Sequence, residues 1–247
     1  MRRDDAQPTT ARATWVLAAL SLAMLLSSLG TSVANVALPT LEEDFGAPFG
    51  QVQWVVLAYL LALTTLVVSA GRLGDLAGRR RLLIAGLALF SAASALCAAA
   101  PSLPLLVAAR AAQGAGAALM MALTLAFVAA IVPASRTGAA MGLMGTTSAL
   151  GTALGPSLGG ALIAGPGWRA IFLVNIPLGM LALVLAHRHL PRDRPRTSAS
   201  VPRFDVLGTV LLALTLAAYC LAMPIGHGEA GQENARLHGT SSMCPPV

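Results

Sequence analysis

The chain has 247 residues, of which 56% are hydrophobic, 4% aromatic and only 11% charged. A water-soluble domain carries about 25% charged residues, so too few charges exist here to cover a water-facing surface. Disorder is excluded by the apolar excess. With roughly 30 residues per membrane span and its loop, the length accommodates about seven spans.

The net charge is +6, and every basic side chain is an arginine. A basic excess also occurs in nucleic-acid-binding chains, but no basic stripe interleaved with aromatics is present. The arginines instead cluster between long apolar runs, as in loops beside anionic lipid. Cys97, Cys220 and Cys244 show no metal-ligand spacing and read as small apolar fillers.

In chain order, residues 1–14 form a polar cytoplasmic tail. The expected spans follow at 15–37, 52–71, 82–100, 104–131, 138–163 and 169–187. A Pro- and Arg-rich linker covers 188–205, a seventh span 206–223, and a polar tail 224–247. In lipid every main-chain polar group must be satisfied internally, so each span is read as a helix. The first span is too long for the apolar core of a cleaved leader. Arg2, Arg3, Arg12, Arg72, Arg79–Arg81, Arg136, Arg188 and the linker arginines fall on one side, against Arg169 and Arg236 on the other. That asymmetry places the N-terminus in the cytoplasm of a multi-pass protein of the inner (plasma) membrane, and the loop Glu42-Glu43-Asp44 outside.

Between the second and third spans stands Gly71-Arg-Leu-Gly-Asp75-Leu-Ala-Gly78-Arg79-Arg80-Arg81. Its glycines permit close backbone approach and positive φ. Asp75 is positioned to anchor a charge network or to cap a helix N-terminus. The fourth span carries Arg110-Ala-Ala-Gln113-Gly114-Ala-Gly116. An arginine inside a span is costly, so it faces a wet cavity or a partner, or it snorkels to the nearer interface. Gly114-x-Gly116 lacks the strand context of a dinucleotide site. In the fifth span Gly151, Gly155 and Gly159 recur every four residues, which lets another helix approach closely. Pro156 interrupts the same helix, and Gly160 ends the pattern.

The loop G-x-L-x-D-x-x-G-R-R resembles the signature loop of the major facilitator superfamily of secondary transporters. R-x-x-Q-G-x-G resembles a second pattern of its proton-coupled members, and G-x-x-x-G-P-x-x-G-G resembles the antiporter motif of its drug exporters. Gly167-Trp168-Arg169-Ala-Ile-Phe172-Leu-Val-Asn175-Ile-Pro177 and Phe204-Asp205-Val-Leu-Gly208 look like signatures of the fourteen-span drug:proton antiporter branch. The resemblance implies an all-α integral membrane protein: the N-terminal six-helix bundle of the major facilitator fold plus one additional helix. It implies a secondary exporter of amphipathic small molecules, working by alternating access with the proton as coupling ion. No cofactor, bound metal or bond chemistry is implied.

The same resemblance assigns a conformational latch to Gly71, Asp75, Gly78, Arg79 and Arg80. It assigns proton coupling to Arg110, cavity contact or packing to Gln113 and Gly114, and a seal or hinge to Gly151, Gly155, Pro156, Gly159 and Gly160. Asn35 is expected to join Arg110 and Gln113 as a polar point of the substrate site.

Two departures stand out. Gly30 occupies a position where the family commonly has an acidic residue, and no span contains Asp or Glu. A titratable carrier is then expected outside these spans. The family also uses two six-span bundles, so the sequence reads as a truncated or frame-shifted product whose partner is a missing C-terminal half or a second copy. A half-transporter that binds or regulates without transporting is the alternative.

Overall fold

A computed structural model describes residues 10–191 together with Asp193 and Thr215. Within 10–191 there are eight helices: α1 (Thr10–Phe45), α2 (Phe49–Val52), α3 (Trp54–Ala77), α4 (Arg79–Ala99), α5 (Leu103–Ile131), α6 (Ala134–Ala164), α7 (Ala170–Leu173) and α8 (Asn175–His189). The chain divides into a unit ending at Phe204 and a second beginning at Asp205. Most of the linker, the seventh span apart from Thr215, and the C-terminal tail lie outside the described residues.

The eight helices form six rods. Gln53, between α2 and α3, keeps helical torsions (φ −56°, ψ −28°), as does Val174 between α7 and α8 (φ −60°, ψ −31°). The second interruption has a covalent cause. Pro177 has no N–H to offer the carbonyl of Leu173, so the helical ladder loosens there.

Five stretches are long and apolar enough to cross a membrane: Thr14–Phe45, Phe49–Ala77, Arg79–Ala99, Leu103–Ile131 and Ala170–His189. The α6 rod matches them in length, but its run of Gly, Ser and Thr dilutes its hydropathy. The helices run past the expected spans at several ends, with α1 beginning at Thr10 inside the expected tail and α6 at Ala134 rather than 138; two of these extensions bear on the motifs. The α1 helix continues to Phe45, so Glu42, Glu43 and Asp44 form its last turn rather than a loop. The residues of the signature loop are also mostly helical. Gly71 to Ala77 complete α3, and Gly78 alone separates it from α4.

The α1 rod packs along α6, and α3 packs along α5; α4 also lies against α5, and α8 against α1 and α4. Exchanging the first three rods with the last three converts the α1–α6 pair into the α5–α3 pair. That is the relation of inverted three-helix repeats. Small residues make the contacts close. A Cβ on Gly116 of α5 would stand 2.9 Å from the carbonyl oxygen of Gly86 on α4, and one on Gly114 would collide with the backbone of Tyr59 on α3.

Two apolar clusters fill the interior. One gathers Leu20, Met24, Leu83, Leu87, Phe90, Met120 and Leu123 towards the arginine-rich end. The other gathers Leu41, Val52, Val55, Cys97, Leu106, Trp168 and Phe172 towards the opposite end. A polar layer lies between them, with Arg110 at its centre.

Candidate functional site

Arg110 projects from α5 and is fully buried. Its Nε donates to the carbonyl of Val55 on α3 (3.0 Å), and one Nη donates to the carbonyl of Gly30 on α1 (3.1 Å). The other Nη donates to Oε1 of Gln113, one turn further along α5. The guanidinium lies over the Tyr59 ring, 4.2 Å from its centroid, with the Phe172 ring at 5.9 Å on α7. Cation–π contact and carbonyl dipoles together solvate a charge that lipid cannot. The guanidinium therefore has partners inside the bundle, and the snorkelling expected as one alternative does not occur.

Gln113 extends the network. Its Nε2 donates to Oγ of Ser94 on α4 (2.7 Å), and the Ser94 hydroxyl donates to the carbonyl of Phe90 (2.7 Å). Tyr59 donates its hydroxyl to the carbonyl of Ser27 on α1 (2.8 Å). One arginine and one glutamine thus join α1, α3, α4 and α5. Gly30 brings α1 close to this layer. A Cβ there would lie 3.3 Å from the Phe90 ring and 3.5 Å from the Tyr59 hydroxyl, so the missing side chain lets α1 present its carbonyl to Arg110. Asn35 is not part of this layer. It is exposed on α1, and its amide donates to the carbonyl of Thr31 (3.3 Å).

The latch residues gather at the other end. Gly78 takes φ +98°, a conformation that a side chain would strain. Arg79 forms a two-point contact with Asp75 through Nε (3.1 Å) and Nη2 (2.9 Å), and its Nη1 donates to the carbonyl of Ala126 on α5 (3.2 Å). Gly71 meets nothing within 4 Å, so it does not supply the close approach expected of it; Gly74, packed on the Leu123 side chain, does.

Asp75 does not cap α4. That role falls to Asp193, whose carboxylate accepts from the backbone N–H of Arg80 (2.9 Å) and of Arg81 (3.1 Å). The carboxylate occupies the space a Cβ on Gly78 would need. Arg80 in turn donates to the carbonyl of His187 at the end of α8 (2.6 Å). Sequence reading passed over Asp193 because one acid among linker arginines carries no spacing signal.

The antiporter-like motif divides between two faces of α6. Gly151, Gly155 and Gly159 are buried on α1, against Leu25 and Ser28, against Ser32, and against Val33 respectively. Pro156 is exposed, and Gly160 faces open space. Ser28 and Ser148 share a hydrogen bond of 2.6 Å across the same seam.

The model of the Major Facilitator Superfamily matches residues 20–228. The chain belongs to the major facilitator superfamily. Among its relatives is the riboflavin transporter RibZ of Clostridioides difficile, 36% identical over 223 residues, which are 90% of this chain and 47% of that protein. The multidrug resistance protein B homolog of Mycobacterium tuberculosis is 40% identical over 198 residues, 80% of this chain and 36% of the relative. The chain therefore spans less than half the length of these relatives. Its fold is similar to that of a bacterial homolog of the human lysosomal transporter Spinster in an inward-facing, occupied conformation (TM-score 0.67, 17% identity, covering 76% of this chain and 46% of that one). The family and the long apolar helices describe a multi-pass membrane protein of the major facilitator superfamily.

Proposed function

We propose that the bundle is the N-terminal half of a proton-coupled exporter of amphipathic small molecules, of the fourteen-span branch of the superfamily. The observation that carries this reading is the Arg110 layer. A charged group is held at the crossing of four helices in a family of secondary transporters. Its relatives include a protein named for multidrug resistance.

Alternating access works by moving one bundle against another. The second set of helices is supplied either by further chain or by a second copy. Asn35, exposed on α1, is proposed as a polar point of the substrate path between the halves, with Arg110 and Gln113 behind it. Gly71, Asp75, Gly78, Arg79 and Arg80 are proposed as the latch, and the α1–α6 seam around Gly151, Gly155, Pro156, Gly159 and Gly160 as the seal. The helix interiors around Arg110 carry no Asp or Glu, so the proton-binding group of this reading lies outside the Arg110 layer. Arginine placement orients the protein in the inner membrane with its N-terminus in the cytoplasm.

The test is accumulation of a fluorescent amphipathic drug in cells expressing the chain. Lower accumulation with the wild-type protein, abolished by Arg110→Ala, supports the exporter. Equal accumulation in both removes it for this chain and leaves the binding or regulatory half-transporter.

A further inference from the structure

At the end of the bundle away from the arginine-rich turn, one aromatic side chain joins three elements. Trp168 is 4% exposed. Its Nε1 donates to Oδ2 of Asp44 in the last turn of α1 (2.8 Å). Arg169 lies over the indole face, 4.3 Å from its centroid, and reaches the same Asp44 oxygen at 3.8 Å. Phe45 packs against the indole at 5.6 Å. The indole meets the Phe172 ring edge-on at 6.2 Å, and Phe172 is the aromatic ring that faces Arg110 at 5.9 Å. A continuous line of contacts thus runs from Asp44 at the bundle's end, through two aromatic rings, to the buried guanidinium.

We infer that Asp44 and Trp168 form a clasp that holds Phe172 against Arg110, and that releasing this clasp gives water and solutes access to Arg110 from the Trp168 end. Asp44, Trp168 and Phe172 are then positioning residues for Arg110.

Three features support this assignment. The clasp ties α1 to the start of α7, and Gly167 beside the indole takes φ +95°, a turn conformation that favours glycine. Phe172 is 2% exposed and belongs to the same apolar cluster as Val55, whose carbonyl receives Arg110. The Asp44 carboxylate is about half exposed, so the bond that closes the line is the one nearest to solvent. The use of the clasp in transport rests on the exporter reading; its geometry does not.

Cys97 provides the probe. It is fully buried in the cluster that Trp168 and Phe172 close off. The full chain carrying Cys220→Ser and Cys244→Ser, purified in detergent, is treated with a charged, membrane-impermeant maleimide. Asp44→Ala and Trp168→Phe should each raise the alkylation rate of Cys97 roughly tenfold, the scale of one hydrogen bond to a charged group. Asp44→Asn should stay near the parent, because its amide oxygen still accepts from the indole. Trp15→Phe, at the opposite end, should leave the rate unchanged.

Rates in Asp44→Ala and Trp168→Phe equal to the parent overturn the clasp. So does a rise in Trp15→Phe equal to theirs, which indicates general loosening, or a rise in Asp44→Asn as large as in Asp44→Ala, which indicates charge alone. Where Asp44→Ala does not fold, Trp168→Phe decides. A wild-type chain that fails to lower drug accumulation while the labelling pattern holds removes the exporter and leaves the clasp standing.

Discussion

Ser32 of α1 donates its hydroxyl to the main-chain oxygen of Thr152 on α6, at 2.8 Å. Thr152 lies four residues before Pro156, so its carbonyl is the one that the proline leaves without a helical donor. The neighbouring helix thus repairs the defect that Pro156 introduces, and proline and serine form one unit across the seam. Ser32→Ala should destabilise the bundle by about 1 kcal/mol. In a Pro156→Ala background, where the helix supplies its own N–H, the same change should cost close to nothing. A double-mutant cycle of heat-induced loss of the monodisperse detergent-solubilised protein measures this coupling; additive effects would separate the two residues.

The glycines of the same motif differ sharply in what they permit. A Cβ on Gly155 would overlap the Ser32 side chain, whereas one on Gly160 would meet nothing within 4 Å. Gly155→Ala should therefore cost about 1–3 kcal/mol through overpacking. Gly160→Ala should be neutral or stabilise by up to about 1 kcal/mol through helix propensity. Thermal stability of the two variants, compared in one detergent, checks the contrast.

Arg110 is held by geometry as well as by charge. Its three hydrogen bonds run to acceptors on α1, α3 and α5. A lysine keeps the charge but presents one compact donor group, which cannot serve acceptors on separate helices as a planar fork does. Arg110→Ala should lower stability by about 1–3 kcal/mol, chiefly by leaving the Gln113 side-chain oxygen and the carbonyls of Gly30 and Val55 without their donor and Tyr59 without its cation. Arg110→Lys should fall nearer to the alanine variant than to the wild type. Equal melting of the lysine variant and the wild type would show that charge alone matters.

Asp193 has a local and separable effect. Removing its carboxylate frees the backbone amides of Arg80 and Arg81 at the first turn of α4. The loss of an N-terminal cap is worth about 1 kcal/mol. In Asp193→Ala, exchange of those two amides with deuterium should accelerate about fivefold, while amides at the centre of α5 keep their rates. Uniform acceleration throughout the bundle would reassign Asp193 to global stability.

The helices were legible because lipid demands long apolar runs, and the runs ended at arginines, prolines and glycines. Arg110 and Gln113 were expected as polar points of one site through the resemblance, and residues three apart do share a helix face. The remaining partners of Arg110 were not. Gly30 and Val55 act through main-chain oxygens, which every residue possesses, so no side-chain pattern announces them. Asp44 was read as part of a loop because a cluster of acids after Pro39 looks like a helix end, yet α1 continues through it. Asn35 stands outside the Arg110 layer for a different reason. The five-residue offset from Gly30 turns it to another face of α1, and periodicity alone does not say which face of α1 packs on α5.

The choice of a backbone oxygen at Gly30 also bears on how this protein tolerates change. A carboxylate partner can be lost by a single substitution, but a peptide carbonyl persists whatever residue occupies the position. The hold of α1 on the buried cation is therefore indifferent to the chemistry of position 30 and sensitive only to whether a bulkier residue displaces the rod. Genetic drift can erode this contact by shifting a helix, not by deleting an acceptor.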